Sequence, residues 1–379
     1  MKSPADSQAA PAATAIAMYL PQFHPVKEND EWWGRGFTEW TNTARARSLF
    51  PGHMQPHIPG ELGFYDLRLA ETRIAQADLA REHGIAAFCY WHYWFAGRRI
   101  LERPFNEVVS SGQPAFPFCL AWANQTWSGI AHGAPRRTLI TQTYPGREDE
   151  KAHFASVLPA LFDPRYLRID GRPLFMVYRP ELLPQARDFT DHWRQLAADA
   201  GLPGLFFVAD LRNDFVDRRH DALESMGFDG GVFVELPIDR ARRPSLPVRV
   251  VTRLRRGPEV HRHSESFVGA PFTQSRPIFP CVFPNWDNTP RSERQGVVLV
   301  GSSPHILRRH VEAAVASVSG LPEQQRLVFV KSWNEWAEGN YLEPDREHGR
   351  DYLLAVAEGL GVGRRAHAGS QRAEGAAGR

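Results

Sequence analysis

"RLVFVKSWNEWAEGNYLEPD", residues 326–345, joins two patterns that seldom meet. Its opening "RLVFV" is apolar, too short for a helix, and rich in residues that favour strands. The remainder sets two glutamates three residues apart, Glu335 and Glu338, among Trp333 and Trp336. Continuous apolarity suits a strand of a parallel sheet, which is covered on both faces. Carboxylates and indoles at its far end suit a ligand site.

Working outward, the same pattern recurs. "AIAMYLP" (15–21), "IAAFCYWHYW" (85–94), "FPFCLAWAN" (116–124) and "PLFMVY" (173–178) are further short apolar runs. "LFFVAD" (205–210), "GGVFVELP" (230–237) and "PIFPCVFPNWDN" (277–288) complete a set of eight with 326–336. Helical periodicity lies between them at 67–84, 149–162, 186–201 and 305–320, and closes the chain at 350–361. The first of these stops at Gly84, an expected C-terminal cap, and Pro159 should kink or end the second. Alternation of this kind predicts an α/β chain folded as a (β/α)8 TIM barrel with long βα loops on the active face. An open doubly wound sheet is the rival, but no glycine-rich phosphate fingerprint follows the first run.

The barrel predicts one catalytic barrel over 15–361, with an insertion around 238–275 that is either a lid or a disordered excursion. Segments 1–14 and 362–379 are expected to be disordered, the first being small and polar and the second having too few apolar residues to pack. The chain has 379 residues, a formal net charge of +2 and 42% hydrophobic residues, so disorder throughout and a dominant nucleic-acid interface are both disfavoured. No run of about 18 apolar residues appears, so no membrane span is expected. Cys89, Cys119 and Cys281 sit inside apolar runs and read as core thiols of a reducing compartment. With no secretory pattern at the start, the expected address is cytoplasmic.

Most of the runs end in polar or aromatic groups, which a barrel gathers on one face. Glu335 and Glu338, so close together and beside indoles, cannot ionise independently, so one acid and one base coexist near neutral pH. That division of labour suits glycoside chemistry. Indoles also pack well on the C–H faces of pyranose rings, and amides and imidazoles bond hydroxyls. The substrate-binding candidates are Tyr19, Gln22, His24 and Trp40 from the first block, then Tyr90, His92 and Trp94. Trp122, Asn124, Gln125, Trp127 and Tyr178 follow, and Trp286, Asp287, Trp333, Asn334 and Trp336 complete the set. His53 and His57 flank Pro56 in a loop, a poor arrangement for a metal, and no metal or cofactor is implied.

"YLPQFHPVKENDEWWGRGFTEWTN", "HGIAAFCYWHYWFAGRRILERP", "FPFCLAWANQTW", "FPNWDNTPR" and "SWNEWAEGNYLEPD" together resemble the WbsX-like proteins, a bacterial group related to glycoside hydrolase family 99. The match extends from about residue 17 to residue 355. The resemblance implies a (β/α)8 barrel acting on carbohydrate, often in O-antigen or other lipopolysaccharide and surface-polysaccharide settings. Family 99 comprises retaining endo-α-mannosidases in which the sugar's own 2-hydroxyl attacks, through an anhydro intermediate. Carried over to this motif, Glu335 is the base for that hydroxyl and Glu338 the general acid and then base. Gln125 stands where many WbsX-like proteins have a glutamate, and "CYWHYW" departs from the endomannosidases proper. Three readings follow: a retaining, endo-acting glycoside hydrolase on oligo- or polysaccharide, a glycosyltransferase of polysaccharide assembly, and a non-catalytic carbohydrate-binding barrel. The transferase reading lacks a Rossmann-like domain and a DxD-type metal motif, since "DLRND" (210–214) is a poor substitute.

Overall fold

Eight short segments buried on both faces pair in parallel and close on themselves. The computed structural model describes residues 11–129, 134–212, 221–254, 256–271 and 273–362. The strands are β1 (Thr14–Tyr19), β2 (Ile85–His92), β3 (Phe118–Trp122), β4 (Arg172–Val177), β5 (Phe206–Leu211), β6 (Gly230–Phe233), β7 (Ile278–Val282) and β8 (Leu327–Val330). Pairing runs in that order around the ring, and β8 returns to β1 with Leu327 opposite Thr14. Helices between the strands cover the outside, which makes this the expected (β/α)8 barrel. All eight apolar runs of the sequence supply a strand.

The outer wall contains α1 (Ala70–Glu82), α2 (Arg103–Ser111), α3 (Arg147–Phe162), α4 (Ala186–Asp199), α5 (Ala222–Ser225), α6 (Pro304–Val318) and α7 (Asp351–Gly359). Helix α1 gives way to Gly84, whose φ of +81° is left-handed. Helix α3 continues through Pro159 to Phe162, so the proline does not end it there. Proline in the last turn removes a single backbone bond, and buried Val157, Ala160 and Leu161 hold that turn to the core. Between sheet and wall, Trp193 of α4 is completely buried against Phe154, Phe175, Phe189 and Phe207.

Adjacent glycines open β6 because no side chain fits there. A Cβ on Gly230 would lie 2.7 Å from the ring of Phe279 and 3.2 Å from the Pro277 carbonyl oxygen. Gly230→Ala is therefore expected to cost roughly 1–3 kcal/mol through overpacking. Urea denaturation checks this, and an unchanged midpoint would contradict it.

The long loops contain regular structure. The first carries helices at Lys27–Trp33 and Glu39–Arg45. Residues 238–275 hold a strand at Ile238–Asp239, a helix at Leu246–Leu254 and a strand at Glu259–His263, and both strands join Val297–Val300 in a small sheet. Cys89, Cys119 and Cys281 are buried and unpaired as thiols. The expected terminal tails fall on residues 1–10 and 363–379, outside the described residues, whereas Thr14 already belongs to β1.

Candidate active site

Beyond Val330 the chain leaves the barrel and folds into a tight hairpin. Asn334–Glu335 pairs antiparallel with Asn340–Tyr341, and a 3-10 turn at Trp336–Glu338 joins them. Asn334 pins the hairpin to the end of β1: its Oδ1 accepts the Leu20 N–H at 2.7 Å and its Nδ2 donates to the Leu20 carbonyl at 3.1 Å. Trp336 stacks on Tyr341 and donates its indole N–H to Glu343 at 2.6 Å. Glu343 also accepts from Tyr65 at 2.8 Å and Gln76 at 2.6 Å. Burial pushes this carboxyl up to about 7 against those donors. Gly339 closes the turn in the left-handed region, where a Cβ would lie 2.9 Å from the Asp287 backbone nitrogen.

The hairpin delivers Glu335 and Glu338 to a cleft of about 500 Å³ at the C-terminal end of the strands. Glu335 accepts the Trp91 indole N–H at 2.8 Å and lies 3.6 Å from Lys331 Nζ. Burial alone would raise its carboxyl. Lys331, the neighbouring Glu338, Arg291 and Trp91 outweigh that and hold Glu335 well below the usual carboxylate range. Glu338 moves the other way: burial and the charge on Glu335 push it up, and Arg291 offsets only part. Near neutral pH the pair is thus one carboxylate and one carboxylic acid.

Arg291 ties the acid to the first loop. Its Nη1 donates to Glu338 Oε1 at 2.6 Å and its Nη2 to Glu39 Oε1 at 2.5 Å. Glu39 is fully enclosed, and its carboxyl is raised by burial even with Arg291 beside it. Oε2 of Glu338 is buried in protein with no hydrogen-bond partner among the described residues.

Of the expected substrate contacts, Gln22, Gln125, Trp127 and Tyr178 line the cleft with the glutamates. The other thirteen point elsewhere, and strand parity explains six of them. Successive side chains face opposite sides of a sheet. Along β2 and just past it, Trp91 and Tyr93 face the cleft, so Tyr90, His92 and Trp94 face the helices. Tyr90 packs on Tyr19 and Phe105, His92 meets His153 of α3 at 2.8 Å, and Trp94 stacks on that same imidazole. Burial drives both histidines well below the ordinary imidazole range, which makes the pair a neutral core contact.

Parity corrects β1 and β3 as well. Leu20 lines the cleft beside Gln22, whereas the Tyr19 hydroxyl donates to Gln76 at 2.7 Å behind the sheet. Ala123 precedes Gln125 in the cleft, whereas Trp122 packs on Phe189 and Asn124 bonds the backbone of Arg179. The remaining expectations meet structural roles. His24 is buried away from the cleft, and burial lowers its imidazole to about 4. Trp40 is packed against Phe23 and Trp336, and Trp333 against Phe88. Asp287 is a loop clamp, accepting from His53 and Gln55 at 2.7 Å and from the Thr289 hydroxyl at 2.6 Å. Trp286 approaches only through Lys331, whose Nζ is 5.9 Å from its ring centre.

Residues absent from the sequence reading complete the site: Trp91, Tyr93, Lys331, Arg291 and Glu39. The first three were legible in principle as the opposite parity of the same runs. Arg291 and Glu39 were not, because 252 residues separate two side chains that touch only in the fold.

Residues 15–356 match the model of a family described as "Glycosyltransferase WbsX". The chain is 38% identical over 362 residues to the uncharacterized protein WxcX of Xanthomonas campestris pv. campestris strain B100, covering 92% of this chain and 50% of that protein. It therefore spans about half the length of the curated relatives it matches. Among solved structures, a glycoside hydrolase-like protein superposes with a TM-score of 0.56 at 13% identity, covering 95% of this chain and 97% of the other. The GH99 endo-alpha-mannosidase from Bacteroides thetaiotaomicron follows at 0.53 and 14%, covering 93% of this chain and 98% of that one. At such identities the likeness is one of fold.

Proposed function

The chain belongs to the WbsX family of carbohydrate-active enzymes, and from that premise we propose that it is a retaining, endo-acting glycoside hydrolase of bacterial polysaccharide. The observation carrying the proposal is the placement of Glu335 and Glu338 in one cleft with unlike partners, Lys331 and the Trp91 indole on Glu335 and Arg291 on Glu338. This favours a carboxylate on the first and a carboxylic acid on the second. Glu338 holds a proton to give to the leaving glycosidic oxygen, and Glu335 holds a lone pair with which to take one. In the scheme suggested by the resemblance to family 99, Glu335 removes the proton of the sugar 2-hydroxyl. That oxygen closes onto the anomeric carbon as the glycosidic bond breaks, and the leaving oxygen takes the Glu338 proton. Water then opens the anhydro sugar, losing a proton to Glu338 while Glu335 returns its own to the 2-oxygen. Two inversions leave the anomeric configuration retained.

Trp127, Tyr178, Gln22 and Gln125 supply an aromatic and amide lining that fits pyranose rings and hydroxyls. A second reading, transfer of a sugar from an activated donor during polysaccharide assembly, is favoured by the description of the matching family. Mass spectrometry of products from α-linked polysaccharides and mannosides, with and without nucleotide sugars, separates the two. Cleavage without a donor supports the hydrolase, and elongation that needs a nucleotide sugar overturns it.

The pH profile of turnover is expected to be bell-shaped, its acid limb set by Glu335 and its alkaline limb by Glu338. Trp91→Phe removes one donor to the Glu335 carboxylate. Its acid limb should move to higher pH by a fraction of a unit to about one unit while the alkaline limb stays. An unmoved acid limb would detach Glu335 from the basic role.

A further inference from the structure

The helix at Leu246–Leu254 has an outer face that its underside does not explain. Below, Val248 is buried against Phe50 and Val298, with Val251 packed on the same cluster. Above, Leu246, Val250 and Leu254 are 67%, 46% and 79% exposed, at a spacing that stacks them in one stripe. Arg249 and Arg253 are exposed within the same face. Residues 239–256 carry seven arginines against one aspartate, a formal +6 in a chain whose total is +2, so all other residues sum to −4. Acidic partners take up Arg240 and Arg242, through Glu235 at 4.0 Å and Glu265 at 2.7 Å. Arg243, Arg249, Arg253 and Arg256 form no ion pair among the described residues.

We propose that this helix is an interfacial docking element for an anionic phospholipid membrane. Apolar side chains interleaved with arginines on one helical face suit the boundary between headgroups and acyl chains. The arginines meet the lipid phosphates while the leucines and valine enter the apolar edge, and arginine's long stem lets its charge stay at headgroup level. A nucleic acid would match the charge but leave the apolar stripe in water. The element lies flat on a surface: no helix among the described residues is long and apolar enough to cross a membrane.

Its place in the fold gives the docking a consequence. The helix follows β6, and the strand after it pairs with Val297–Val300, in the same β7 loop that carries Arg291. It therefore stands on the barrel face that opens the cleft, and a docked molecule holds that rim near the membrane.

Flotation of the full chain with vesicles tests the proposal. Vesicles of phosphatidylcholine mixed with phosphatidylglycerol should bind at least roughly tenfold more tightly than phosphatidylcholine alone, and high salt should erase the difference. Arg249→Glu with Arg253→Glu, and separately Leu246→Asp with Val250→Asp and Leu254→Asp, should each abolish binding with an unchanged melting temperature. Equal binding by parent and variants overturns the proposal. Binding to duplex DNA that the apolar variant retains, with no vesicle binding, reassigns the patch to nucleic acid. A dimer of the parent that the apolar variant dissociates, again without vesicle binding, reassigns it to a second copy of the chain.

Discussion

Glu338→Gln is expected to slow cleavage of an unactivated glycoside by roughly 10²–10⁴-fold, the usual contribution of a positioned general acid. Glutamine keeps an oxygen for the Arg291 N–H and the same volume, so the hairpin and its Gly339 turn have no reason to move. The proton is what disappears. A substrate whose leaving group departs as a stable anion, such as a dinitrophenyl glycoside, does not need that proton. The bond-breaking step, read as kcat/KM, should therefore recover most of its rate, while opening of the anhydro sugar, in which Glu338 takes the proton of water, stays slow. Glu335→Gln should lose a comparable factor that no leaving group restores, because its task is to accept a proton at the attacking oxygen. Measuring kcat/KM with two leaving groups and two variants thus assigns the two roles separately. Equal rescue in both variants, or full activity in either, would remove the pair from the chemistry.

The same pair explains why the fold was more legible than the site. Parallel strands buried on both faces appear as unbroken apolar runs, and each of the eight runs became a strand. Unbroken apolarity, however, erases the alternation that tells one face from the other. "CYWHYW" offers an aromatic or imidazole group at each of five consecutive positions from 90 to 94, and only register decides that Trp91 and Tyr93 reach the cleft. His92 and Trp94 looked equally apt and instead pack on His153. Glu335 and Glu338 escaped this ambiguity because they lie past the end of β8, on a turn. Helix α2 and the four-residue α5 were not anticipated either: α2 follows a short hairpin at Trp94–Arg99, and α5 is only about one turn long.

The carboxylic acid is also held by a contact that no local pattern announces, and its removal is expected to have the largest effect on stability. Arg291→Met leaves Glu39 and Glu338 without the cation they share, at side chains 0% and 16% exposed. Breaking a buried ion pair from one side typically costs about 3–5 kcal/mol. Here the cost should depend on pH, because both carboxyls are already raised above their ordinary values by burial. Losing Arg291 raises them further. A carboxyl raised in the folded state destabilises nothing below its unfolded value, where both states are protonated, and costs progressively more as pH climbs toward the folded value. Parent and variant differ only where a carboxyl ionises in the parent and stays protonated in the variant. The gap should therefore be small near about pH 4, larger at about pH 8 through Glu39, and larger still above about pH 8, where Glu338 ionises in the parent. Adding Glu39→Gln should recover part of the loss at the higher pH, since one buried carboxyl is then permanently neutral. Activity offers an independent readout: with its cation gone, Glu338 keeps its proton to higher pH, so the alkaline limb of turnover should move up. Urea denaturation of both variants at the two pH values decides the matter. A loss that is the same at both would mean that Arg291 acts through packing, and that its charge does not set the state of the acid.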